Sequence, residues 1–147
     1  MELTIEQALH QGVAAHKEGK LQDAERLYRA ILQSQPNHPD ANHNLGVLAV
    51  SVDKANAALP LFKTALEANP KIAQFWLSYI NALIKEHQFD NAVKDYYFVA
   101  EMGLTYQRFF LCSWRLAVPL GHLVFLHLHP VSLPAHRLVW HFQTVVL

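Results

Sequence analysis

The sequence predicts an all-α fold, a solenoid of about three helix-turn-helix units, and three observations carry that prediction. Small and aromatic residues recur at a fixed interval: Ala24, Ala58 and Ala92 lie 34 residues apart, as do Tyr28, Phe62 and Tyr96. Gly12 and Gly46 share the interval, and so do Pro36 and Pro70. Between these markers apolar residues return every three or four positions, the period of an amphipathic helix. A fixed period of this length marks an array in which each unit buries its apolar face against its neighbour. Small residues belong where two helices approach closely, and an aromatic fills the space beside them. Proline closes each unit because it cannot continue a helix. An object of this kind is a binding scaffold.

The units run from about 5 to 38, 39 to 72 and 73 to 106. In the first, Ala8, Gly12 and Ala15 place small residues on one face of a leading helix A, and Gly19 ends that helix as a C-terminal glycine does. Leu21, Ala24, Leu27, Tyr28, Ile31 and Leu32 form the apolar stripe of helix B, closed by Pro36. The second unit repeats the scheme with Leu45, Gly46 and Ala49, then Ala58, Leu61, Phe62, Ala65, Leu66 and Pro70, with Asp53 in place of the turn glycine. Pro60 falls inside its helix B and is expected within about the first turn, where N–H groups have no intrahelical partner. The third unit carries Trp76, Tyr79, Leu83, Phe89, Ala92, Tyr96 and Val99. There Ile80 replaces the small residue, His87 the turn glycine and Leu104 the closing proline, so it is the most degenerate of the three.

The chain of 147 residues has no net charge with histidine neutral, so no global pull toward nucleic acid or a membrane surface is expected. The balance conceals an asymmetry. All 12 acidic residues lie at or before Glu101 beside nine Lys and Arg, whereas 102–147 contains only Arg108, Arg115 and Arg137 as charged side chains. The single Cys112 fits a reducing compartment. The N-terminal MELTIEQALHQG carries Glu2 and Glu6 and has no apolar core of a secretory signal, so a cytoplasmic protein is expected.

After residue 104 the period stops, and 105–147 is an irregular apolar tail rich in Leu, Val, Phe and His. Three readings of it stand open. It can cap the end of the array, whose terminal unit needs cover. It can anchor the protein in a membrane through 109–128, although Arg115 near the centre of a span costs about 2.5–3.5 kcal/mol, and Pro119, His122 and His127 also interrupt it. It can be the product of a shifted reading frame, since 46 residues with no carboxylate or lysine depart from a usual charged fraction of about 25%.

The spacing of small, aromatic and proline positions over residues 5–104 resembles the tetratricopeptide repeat, matched nearly position by position. The wording AERLYRAIL, PNHPDANHNLGVLA, ALPLFKTALEANP and FWLSYINALIK also resembles bacterial repeats that precede glycosyltransferase or sulfotransferase domains. The resemblance implies a right-handed solenoid whose A helices line a concave groove. On that register Glu6, Leu9, His10, Val13, His16 and Lys17 face the groove from the first unit. Asp40, His43, Asn44, Val47, Val50 and Ser51 do so from the second, and Gln74, Leu77, Ser78, Asn81, Ile84 and Lys85 from the third. Amides, histidines and aliphatics in this mixture suit a peptide or protein partner. Family members that grip the C-terminal carboxylate of chaperones use Lys and Arg with two Asn; only Asn44 matches, with Leu9, Val13, Gln74 and Ser78 at the other positions. An asparagine ladder of the transferase type would have a single rung, Asn44, with His10 and Ser78 in the flanking units, so Asn44 reads as an ordinary polar residue. Asn44→Ala and Leu77→Ala are expected to weaken a ligand and spare the fold.

Ten histidines raise the question of a metal. Zinc sites normally add Cys or carboxylate to His at fixed geometry. The tail pair His127 and His129 has no carboxylate nearby in sequence, while His10, His16, His38 and His43 lack simple i, i+4 pairing, so no metal or other cofactor is expected. His16 and His43 read as solvated groove residues. No G-x-S-x-G, P-loop or G-x-G-x-x-G pattern occurs, and Cys112 has no base in its sequence context, so no enzyme is expected.

Overall fold

A computed structural model describes residues 3–104. They form six helices in A–B pairs: α1 (Ile5–Lys17) with α2 (Leu21–Ser34), α3 (Pro39–Ser51) with α4 (Ala55–Ala68), and α5 (Ala73–Lys85) with α6 (Phe89–Glu101). The result is the all-α, right-handed solenoid of three helix pairs. The cap, anchor and shifted-frame readings, including the 109–128 segment, fall outside the described residues. Among those residues, no helix is long and apolar enough to cross a membrane.

The first two pairs are closed by the same local contact. A Cβ built on Gly12 would lie 2.7 Å from Cε1 of Tyr28, and one on Gly46 would lie 2.6 Å from Cε1 of Phe62. Glycine is therefore required there so that the aromatic ring of helix B can press on the backbone of helix A. In the third pair Ile80 fills the space with its own side chain and is fully buried, with Tyr96 beside it in the same core. Ala24, Ala58 and Ala92 are all completely buried, as expected where two helices come closest.

The A-to-B turns are also repeated. Gly19, Asp53 and His87 take positive φ of 77°, 60° and 57°. Around each, the N–H one residue beyond returns to a carbonyl five residues back: Lys20 to Ala15, Lys54 to Ala49 and Gln88 to Leu83. These are Schellman caps, so Asp53 and His87 do the conformational work of glycine despite their side chains.

The B-to-A junctions use a different device, which sequence reading did not anticipate. Asn42 donates from Nδ2 to the carbonyls of Pro36 at 2.8 Å and His38 at 3.0 Å. Trp76, 34 residues later, donates from Nε1 to the carbonyl of Pro70 at 2.8 Å. Two unlike side chains thus tie the same proline carbonyl to the next helix A. At the chain's start, Thr4 and Gln7 form a reciprocal capping box at 3.2 and 3.0 Å.

One expectation is corrected. Because α4 begins at Ala55, Pro60 is its sixth residue and lies beyond the first turn. It is tolerated because it is exposed, and the carbonyl left without an N–H partner belongs to the exposed Asn56, where water can reach it.

Candidate functional site

The packing pattern itself defines an inner face. Helix α1 touches α3, and α3 touches α5, whereas α2 makes no contact with α4, nor α4 with α6. The A helices therefore adjoin along one side and the B helices splay on the other, which makes the α1–α3–α5 face the concave one. The 34-residue register sets its columns: Leu9, His43 and Leu77; His10, Asn44 and Ser78; Val13, Val47 and Asn81; Lys17, Ser51 and Lys85.

Its centre is a polar chain joining the second and third units. His43 Nε2 lies 2.9 Å from Ser78 Oγ, across the α3–α5 boundary, and His43 Nδ1 lies 3.4 Å from Asn44 Oδ1. Gln74 Nε2 donates to Ser78 Oγ at 3.5 Å. The imidazole stacks on Phe75 with centroids 4.6 Å apart and meets Phe62 at 5.7 Å. His43 is only 8% exposed, which corrects its reading as a solvated groove residue. Burial lowers its pKa below the ordinary imidazole value, opposed by the hydrogen bond to Asn44 and the nearby Asp40 carboxylate. The balance favours the uncharged ring.

Around this chain the other groove positions differ in availability. His10, Lys17 and Lys85 are exposed; Leu9, Val13, His16, Asn44, Val47, Leu77, Ser78 and Asn81 are half-buried. Lys85 is engaged: its Nζ reaches the Val50 carbonyl at 3.4 Å and Asp53 Oδ1 at 3.3 Å. Leu77 packs against the third-unit core, and Val47 against the cluster of Ala58, Phe62 and Ala82. Truncating Leu77 would therefore loosen the fold as well as the groove, and Asn44 is the cleaner probe of binding.

A serine and a histidine in hydrogen-bond reach raise the question of nucleophilic chemistry. Here Nδ1 faces a neutral amide rather than a carboxylate, and Ser78 sits mid-helix in α5, where backbone N–H groups are already spent on the helix ladder. The pair orients groups; it lacks what would activate them. Among the described residues no group of three His, Cys, Asp or Glu is placed to hold a metal ion. The His43–Ser78 contact was missed in sequence because the two stand in adjacent columns, 35 residues apart rather than 34. The register that placed His43 beside Leu77 puts Ser78 one residue further along the same helix.

A family model described as tetratricopeptide repeat matches residues 9–51 and 43–101. No curated protein matches the chain. Among solved structures it is similar to a mutant of MamA, with 28% identity and a TM-score of 0.61 over 69% of this chain and 58% of that one. It is also similar to a mutant of the Thermobaculum terrenum O-GlcNAc transferase, with 23% identity and a TM-score of 0.68, covering 84% of this chain but 24% of that one. A third similar structure is the first repeat domain of Spaghetti bound to an HSP90 peptide, with 19% identity and a TM-score of 0.71 over 82% of this chain and 98% of that one.

Proposed function

Because the chain belongs to the tetratricopeptide repeat family, we propose that it is a non-catalytic cytoplasmic scaffold whose concave face binds a peptide segment of a partner protein. The observation that carries this reading is the composition of the face formed by α1, α3 and α5. Uncharged hydrogen-bonding groups on Gln74, Asn44, Ser78 and Asn81 stand between half-buried aliphatics on Val13, Val47 and Leu77. Amides and hydroxyls can bond a peptide main chain while the aliphatics receive alternate side chains. The similar Spaghetti domain holds a peptide, which supports the same class of ligand here.

The reading extends to which part of a peptide is gripped. A C-terminal carboxylate calls for a cluster of cations, but the clamp positions beside Asn44 carry Leu9, Val13, Gln74 and Ser78, Lys85 is engaged by Val50 and Asp53, and Lys17 alone does not make a clamp. An internal segment is the better fit. An alternative reading, the N-terminal substrate-recognition segment of a glycosyltransferase or sulfotransferase, has less support: the similar transferase is covered over about a quarter of its length, and the asparagine column has one rung.

The test is selection of binders from a random peptide library, followed by titration of one enriched peptide as the free acid and as the amide. Equal affinities are expected. Loss of binding on amidation would establish a carboxylate clamp instead, and failure to enrich any peptide would count against the groove. Asn44→Ala removes about one hydrogen bond to the ligand, near 1 kcal/mol or roughly a fivefold loss of affinity, and also the acceptor facing His43 Nδ1, so the melt is measured beside the titration to separate the two effects.

A further inference from the structure

The polar chain on the concave face has a direction. Asn44 presents Oδ1 to His43 Nδ1, and two lone pairs cannot face each other there, so Nδ1 carries the proton and donates. Nε2 is then an acceptor, and Ser78 Oγ–H donates to it at 2.9 Å. Gln74 Nε2–H in turn donates to Ser78 Oγ. Every bond in the chain therefore runs one way, from Gln74 through Ser78 and His43 to Asn44. What remains for a ligand follows by subtraction. Asn44 keeps both amide N–H donors, while Ser78 keeps a lone pair and Gln74 keeps Oε1.

We infer that His43 is a positioning residue that sets the hydrogen-bonding polarity of the groove floor, so that a peptide main chain is read with its carbonyl at Asn44 and its N–H at Ser78. This rests on the peptide-groove reading above and specifies it. Protonation of His43 reverses the polarity. An Nε2–H would donate to Ser78 Oγ, the serine hydroxyl would turn outward as a donor, and the acceptor offered to the ligand N–H would be lost. The switch is internal to the floor because few charges face the ring. On α3 the Asp40 carboxylate lies one turn earlier, α4 contributes Phe62, and α5 contributes Phe75 and Ser78. From α1, Glu6 and His10 share the concave face.

The experiment is long-range proton–nitrogen correlation spectroscopy on the full chain without ligand, with His43→Gln assigning the ring signals. At mildly alkaline pH, His43 is expected as the Nδ1–H tautomer with Nε2 unprotonated, and its titration midpoint is expected below the usual histidine range. Ser78→Ala removes the donor that stabilises the neutral ring and should move that midpoint upward; Ser78→Thr should restore it. An Nε2–H tautomer, or a midpoint indifferent to Ser78→Ala, would overturn the inference. Neither readout needs a ligand, so failure here is distinct from failure of the library selection, which tests the groove itself.

Discussion

Replacing Tyr28 with Phe should make the protein more stable. Tyr28 is wholly buried, and its hydroxyl has no hydrogen-bond partner. Burial alone pushes its pKa up. An unsatisfied buried hydroxyl costs about 1–3 kcal/mol. The second unit shows the alternative already built: Phe62 occupies the same column, presses on Gly46 as Tyr28 presses on Gly12, and is equally buried. The ring contacts survive Tyr28→Phe, so the loss is confined to the oxygen's own packing. A net gain of about 1 kcal/mol follows, or roughly 4–8 °C in Tm for a repeat region of this size. Thermal and urea melts followed by far-ultraviolet circular dichroism read it directly. The reciprocal change, Phe62→Tyr, should cost a similar amount by installing the same orphan hydroxyl. A lower Tm for Tyr28→Phe would show that the hydroxyl is satisfied and refute the reasoning.

Gly46→Ala should cost about 1–3 kcal/mol, since its Cβ would meet the Phe62 ring at 2.6 Å; pairing it with Phe62→Leu should recover part of the loss in a double-mutant cycle. Pro60→Ala should stabilise by about 2 kcal/mol by restoring an N–H toward the Asn56 carbonyl, and an unchanged urea midpoint would show that the helix already compensates. Stability should also depend on pH through His43. Its folded pKa lies below the unfolded value of about 6.5, so the unfolded chain binds more protons as pH falls. The contribution is full above that value and declines below it, at no more than about 1.4 kcal/mol per pH unit. A His43→Phe variant should show a flatter profile from pH 7.5 to 5, and an identical slope would assign the effect to other groups.

Much of the fold was legible because it repeats. Gly12 against Tyr28 and Gly46 against Phe62 are the same contact made twice, so a spacing in one dimension reported a packing in three. The turn positions Asp53 and His87 could be placed despite their unsuitable side chains, because Gly19 marked the column. What escaped was whatever the repeat does in different chemical dress. Asn42 and Trp76 share a task that no similarity between amide and indole announces. His43 was read as solvated because its column faces the groove, yet Phe62 and Phe75 enclose it from two other helices. Burial of this kind depends on neighbours that a single column does not reveal. Pro60 was misplaced for a simpler reason: the start of α4 at Ala55 depends on the Schellman cap before it, and a boundary displaced by two or three residues moves the proline from the first turn into the second.

The backbone at Gly103 bears on how this array could be lengthened. The first two units leave helix B through Gln35 and Asn69 at negative φ of −133° and −147°, whereas Gly103 stands in that column at a φ of 69°. Leu104 N–H bonds the Val99 carbonyl, as the A-to-B turns do. A further unit grafted after residue 104 would thus inherit the hairpin geometry of an A-to-B turn and start in the wrong direction. An engineer adding repeats would first restore the junction, writing Gly103→Asn and Leu104→Pro after the pattern of Asn69 and Pro70. The modularity of this chain resides in two-residue joints, and the third joint is of another type.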